Sequence, residues 1–147
     1  MITGASGAIP YSDNKAREKH AELYYETIRR SAADIESIAK NTTFSKEDIS
    51  KVKDHLFYNK HLLGRIDEFG NPIATRFDPD YHQALSWQRL WSGKEIEEMD
   101  IIFLKHELRE IELIARKNMT YFEAHKIAEQ EYNYDKMTKI KDGIIKE

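Results

Sequence analysis

His106, Glu107 and Glu110 form an H-E-x-x-E pattern inside the segment Asp100 to Asn118, and His125 stands in the next stretch of chain. An imidazole and a carboxylate four apart on a helix share one side, and such a pair can do two kinds of chemistry. It can ligate one ion, with Glu107 beside it as general base, which is the logic of the H-E-x-x-H metallopeptidases. It can also move a proton without metal, with His106 as general acid or base and Glu110 orienting it, as in metal-independent nucleases. The second motif position is a carboxylate rather than a histidine, a departure from the zinc pattern. The metal-free pair therefore ranks first, and a divalent ion such as zinc held by His106, Glu110 and His125 ranks second. The expected cofactor is none or a divalent metal. Against both stands a structural reading, in which His106 and Glu110 only hydrogen-bond to each other, to His125 or to a tyrosine.

The element that must position these residues is a helix over about 100–118. On a wheel with about 100° per residue, Ile101, Leu104, Leu108 and Ile111 form one apolar face. Ile102, Phe103, Leu113 and Ile114 cover most of the opposite side, leaving Lys105, Arg109 and Glu112 as a narrow polar strip. A helix apolar on so many sides is buried on several of them. His106 and Glu110 interrupt the second apolar face, and a carboxylate buried there without a partner costs several kcal/mol.

The remaining elements follow in order. A first helix opens at Ser12 or Asp13 and runs to about Asn41, with His20, Tyr24, Ile28, Ile35 and Ile38 inward. Ser45 caps a second, with Asp48 in the capping-box position and Phe44 stapled onto Ile49. Positions 59–78 lose the helical period and form a loop or a β-hairpin in which 65–69 pairs with 73–77. Asp78 with Pro79 opens a third helix, striped by Tyr81, Ala84, Trp87 and Trp91 and closed by Gly93. Thr120 and Glu123 are a capping box for a helix to about Tyr132, with Phe122, Ile127 and Ala128 inward. The Lys-rich tail frays or forms a last short helix. The architecture expected is an all-α bundle of about five helices around the 100–118 helix, in one domain over 12–147 after a loose linker over 1–11.

The 147 residues suffice to bury a core, and a net charge of −3 lacks the footprint of a non-specific nucleic-acid binder. Zero cysteine excludes thiolate metal sites and disulfides. No apolar run reaches the length of a membrane span, and no signal peptide is evident. Three further residues are candidates for substrate contact. Arg76 has no architectural explanation and suits a phosphate or carboxylate clamp. Arg89 falls outside the Trp87–Trp91 stripe. His20 is either a contact residue or a satisfied histidine at the core edge. His55, His61 and His82 read as surface or loop histidines.

Phe44–Ile49, Lys53–Phe57, Arg76–Asp80, Ser86–Leu90, Leu104–Leu108 with Glu110, and Glu123–His125 together resemble a domain found at the C-termini of bacterial polymorphic toxins. Similar stretches end LXG-type and Rhs-type secreted proteins and some phage head-morphogenesis proteins. The resemblance runs from about Asn14 to Tyr134. It implies an antibacterial effector domain, delivered as part of a larger secreted protein, acting in the cytoplasm of a target cell and neutralised by a cognate immunity protein. A nuclease acting on nucleic acid is the most common kind. The alternatives are a zinc-dependent peptidase or other metallohydrolase, and a non-enzymatic structural domain of a phage or secretion particle.

Overall fold

The computed structural model describes residues 9–146, and within them the chain is helical with one small sheet. The order is α1 (Asn14–Arg30), α2 (Asp34–Asn41), α3 (Lys46–Lys53), a π turn (Asp54–Tyr58), β1 (His61–Ile66), β2 (Pro72–Thr75), α4 (Tyr81–Ser92), α5 (Glu98–Lys117), α6 (Tyr121–Glu131) and α7 (Tyr134–Lys141). This is the expected all-α bundle with a hairpin insertion, in shorter pieces than the sequence pattern suggests. The core packs Tyr24, Tyr25, Ile28, Ile38, Ile49, Val52, Phe57, Trp87, Leu90, Phe103 and Leu104 against one another. Every helix from α1 to α5, together with α7, therefore gives side chains to one apolar cluster. No helix among the described residues is long and apolar enough to cross a membrane.

Three departures from the sequence pattern have physical causes. The single helix expected over 12–41 is two helices. Asp34, fully buried, accepts from Lys53 Nζ at 2.8 Å and Trp87 Nε1 at 3.1 Å. Lys53 Nζ also donates to the Ser31 carbonyl at 2.7 Å, so a buried lysine holds the break open. The third helix starts later than Asp78-Pro79 suggested. Asp80 is its N-cap, accepting from the Gln83 N–H at 2.8 Å, while Asp78 pairs with Arg65 at 2.8 Å. Phe122 is exposed, and Ala124 and Ala128 are the residues α6 buries. Small side chains let α6 lie close against α5.

Other local signals act as their chemistry requires. Asp13 caps α1, Ser45 caps α3, and Thr120 with Glu123 forms a reciprocal capping box. The hairpin pairs His61 with Thr75, Leu62 with Ala74 and Ile66 with Pro72, so β1 begins earlier than the alternation indicated. The register slips between Leu62 and Ile66, where Gly64 takes φ +76°. Gly93 ends α4 at φ +74°, and a Cβ there would meet the Asn41 side chain at 2.9–3.1 Å. Of the expected linker over 1–11, the first eight residues lie outside the described ones. Ile9 is tied down, donating its N–H to Tyr81 Oη at 2.6 Å and accepting from Arg17 Nε at 2.9 Å.

Candidate functional site

The face of α5 that carries Phe103, His106, Glu107, Glu110 and Leu113 is buried against its neighbours. Helical spacing puts His106, Glu107 and Glu110 on that face, and the α5–α6 turn at Asn118, in the left-handed region, brings His125 over them. Glu110 is the hub. Its Oε2 lies 3.0 Å from His125 Nδ1 and 3.4 Å from His106 Nε2, and those two nitrogens are 3.3 Å apart. Its Oε1 lies 2.7 Å from His55 Nε2. His106, Glu107 and Glu110 are each no more than 3% exposed.

His55 reaches the hub because of the π turn. The wider turn, closed by Asn59 N–H to Asp54 O at 2.8 Å, holds His55, Leu56 and Phe57 buried in succession. His55 is thus buried, not the surface or loop histidine its sequence suggested. The other two histidines set aside with it also have partners. His61 donates from Nε2 to the His55 carbonyl at 2.8 Å and stacks on Phe77 at 4.3 Å, while His82 Nε2 meets Asp142 at 2.8 Å.

The second nitrogen of each α5–α6 imidazole settles what the first can do. His106 Nδ1 faces the Tyr132 carbonyl at 3.0 Å, and a carbonyl only accepts, so that nitrogen carries hydrogen. His125 Nε2 faces the Asp135 carboxylate at 2.9 Å and carries hydrogen for the same reason. As neutral rings, both therefore turn bare lone pairs toward Glu110 Oε2, which also has only lone pairs. Three lone pairs 3.0–3.4 Å apart repel unless something positive sits among them. A tetrahedral ion with bonds of about 2.0–2.1 Å spaces its ligand atoms about 3.3 Å apart, and imidazoles tied outward to a carboxylate and a carbonyl are the usual support of metal-bound histidine.

Protons are the other positive occupant. In the metal-free cluster the hydrogen bonds to Asp135 and Glu110 raise His125 to about 10. Burial works against the charge on His106, but Glu110 outweighs it and the ring's pKa rises. Burial likewise works against the Glu110 carboxylate, and hydrogen bonds from His106, His125 and His55 hold it well below the usual range. Glu107 goes the other way: burial, then the neighbouring Glu110 charge, pushes it well above the usual range. A general acid or base works best with a pKa near the working pH. His125, raised to about 10, lies far from that optimum at neutral pH. A cation entering the cluster would displace those protons.

The cluster opens onto a cleft of about 400 Å³ walled by Leu56, Phe77, Tyr121, Phe122, Arg65 and Gln83. The Tyr121 hydroxyl lies 3.4 Å from His125 Nδ1. A larger groove of about 670 Å³ beside the hairpin is walled mainly by apolar side chains such as Leu62, Ile66, Ile114 and Met119. The smaller cleft holds the reactive groups.

The structure brings His106, Glu107, Glu110 and His125 together and leaves the other three candidates elsewhere. Arg76 is exposed and does not line the cleft; Arg65 is the arginine in its wall. Arg89 is 1% exposed and forks onto Asp100 with two 2.8 Å hydrogen bonds, so it braces α4 against α5 and cannot meet a substrate. His20 packs beside Tyr24 and Tyr81 and does not line the cleft. Sequence reasoning missed His55 and Asp135. The signal available for His55 was its place beside the apolar Leu56 and Phe57 at the end of an amphipathic helix. Asp135 stands on α7 and nothing in its sequence neighbourhood marks it. No family model, curated protein or solved structure matches the chain.

Proposed function

We propose that the Glu110 cluster is the reaction centre of a metal-dependent hydrolase, in which His106, Glu110 and His125 hold a divalent ion. The observation that carries this reading is the pair of outward N–H groups, on Tyr132 O and Asp135, which leaves two imidazole lone pairs and a carboxylate oxygen convergent at one point. Two nitrogens and one oxygen suit zinc and other borderline divalent ions. This reverses the order that the residue types alone suggested, where a metal-free pair stood first.

Such an ion supplies Lewis acidity, drawing electron density from a scissile oxygen and making water acidic enough to attack near neutral pH. The chain does the rest. Asp135 and the Tyr132 carbonyl fix the two rings, Tyr121 presents a hydroxyl beside them, and Phe77 with Phe122 narrows the approach. The resemblance to polymorphic toxin domains points to nucleic-acid phosphodiesters as substrate and to a delivered antibacterial effector held in check by an immunity protein. In that hydrolysis the water oxygen bonds to phosphorus and the ester P–O bond breaks. Its electron pair leaves on the alcohol oxygen, which takes up a proton.

The test is incubation of purified, metal-loaded protein with labelled DNA, RNA and an unfolded protein, with and without chelator. Expression in a bacterial cytoplasm with and without His125→Ala accompanies it. Nucleic-acid cleavage that chelator abolishes, with killing that the variant lacks, is the expected result. Cleavage of the protein alone would move the reading to a peptidase. Cleavage that persists in chelator would restore the metal-free acid–base pair. No cleavage of any substrate would leave a structural network.

A further inference from the structure

We propose that the cluster takes two divalent cations, the second held by His55, Glu107 and Glu110, with the Glu110 carboxylate bridging the pair. The inference rests on the reading of the first site given above and deepens it. Two sets of three ligands each gather their donor atoms within 4.8 Å: His106, Glu110 and His125 in one, His55, Glu107 and Glu110 in the other. Glu110 divides its oxygens between them, Oε2 toward the α5–α6 histidines and Oε1 toward His55. A carboxylate spread in this way is the shape of a bridging ligand.

An independent observation comes from Glu107. Its Oε2 is enclosed and has no hydrogen-bond partner, with His55 Nε2 at 3.6 Å. A buried carboxyl oxygen left so costs about 1–3 kcal/mol, and two other buried acids among the described residues do not bear that cost. Asp34 and Asp100 both have full sets of donors. Glu107 is among the residues that line the cleft. The π turn adds to this, since it carries His55 inward to Glu110 Oε1, the oxygen turned away from His125. Two acids and three imidazoles make a donor set of nitrogen and oxygen that suits zinc or manganese.

Paired ions about 3.5–4 Å apart can clamp the attacking and leaving oxygens of an in-line displacement at phosphorus. Taken with the toxin-domain resemblance above, the second site fits phosphate esters as the substrate class. It also removes Glu107 from the role of general base that the H-E-x-x-E pattern suggests, and makes it a ligand.

The experiment is metal counting on full-length protein purified without a chelating column. Stripped protein is loaded with zinc, and separately with manganese, then desalted and analysed for bound metal, with circular dichroism to confirm folding. Wild type should hold two equivalents, and Glu107→Gln and His55→Ala one each. Manganese-loaded wild type should give an exchange-coupled electron paramagnetic resonance spectrum, which becomes uncoupled in Glu107→Gln. If a variant fails to fold, wild-type stoichiometry and coupling decide alone. One equivalent in wild type, with no coupling, would overturn the second site and leave the hydrolase reading standing. No bound metal in wild type would overturn both.

Discussion

Two buried charged regions lie along α5, one at its start and one in its middle, and they are built differently. Near its start, Arg89 forks onto Asp100, and Asp100 also accepts from the Glu97 N–H at 2.8 Å, so every acceptor is met and charges cancel one to one. Further along, three imidazoles face two carboxylates, one oxygen has no hydrogen bond, and the group opens onto a cleft. Arg89 and Asp100 are almost wholly buried, as are His55, His106, Glu107 and Glu110, while His125 is partly exposed at the cleft. What differs is closure: the first is complete with protein groups alone, while the second leaves a Glu107 oxygen without a hydrogen bond. A closed buried network fixes packing, and an unclosed one at a cleft is where a ligand belongs.

The largest effect expected from breaking this contrast is on the closed side. Arg89→Met leaves Asp100 buried and uncompensated and should lower stability by about 3–5 kcal/mol, measured by urea unfolding. A loss below about 1 kcal/mol would mean that Asp100 relaxes to solvent or takes a proton, and the closed network would not be the brace described here.

On the open side the stability effect should be smaller and the functional effect larger. His106→Ala leaves Glu110 with His55 and His125, so unfolding free energy should drop by only about 2 kcal/mol. The hydrolysis proposed above should fall by about a hundredfold or more, since His106 would hold the ion. A folded His106→Ala protein with full cleavage would take His106 out of the site. A variant that unfolds outright would make the open cluster as structural as the closed one.

A third charged group sharpens the comparison by pH. Asp142 is enclosed, which works against its charge. Hydrogen bonds from Arg17, two at 3.0 Å, and the contact with His82 at 2.8 Å outweigh burial and hold it below its ordinary pKa. A carboxyl lowered on folding contributes stability that is whole above the unfolded value of about 3.9 and drains away as pH falls through the folded one. Thermal melts from pH 6 to pH 3 should show Asp142→Asn less stable by about 1 kcal/mol at pH 6. The difference from wild type should narrow toward pH 3. A constant gap across that range would show that the loss is one of packing rather than charge.

The smallest effect belongs to the surface. Lys46 and Glu36 meet at 3.4 Å with both side chains mostly exposed. Lys46→Ala should change stability by less than about 0.5 kcal/mol, and a larger loss would mean that ion pairs in this fold do not rank by burial.

Much of the fold was legible because its signals are local. Ser45, Thr120 with Glu123, and Gly93 terminate helices through groups within four residues of the chain ends they satisfy. The apolar period of α5 likewise marked it as the central helix and put His106 and Glu110 on its buried side. Asp78 misled because Asp78-Pro79-Asp80 holds two equally good caps, and Arg65 from the hairpin takes the first. Arg89 misled because a wheel places a charge by the apolarity of its neighbours, and cannot know that Asp100 waits on the next helix.

From sequence alone came the helical class, the central helix, and the pairing of one imidazole with one carboxylate on its buried face. These follow from a repeat of 3.6 residues, which any reader of the chain can count. Tertiary structure alone decided that His55 joins them, that Tyr132 O and Asp135 hold the outer nitrogens, and that Glu107 is left with a bare oxygen. Those contacts cross between helices and a widened turn, and their partners lie from ten to fifty-five residues apart. No period links such positions. Only the packing of the apolar faces brings them within reach, and that packing fixes how many lone pairs meet at Glu110.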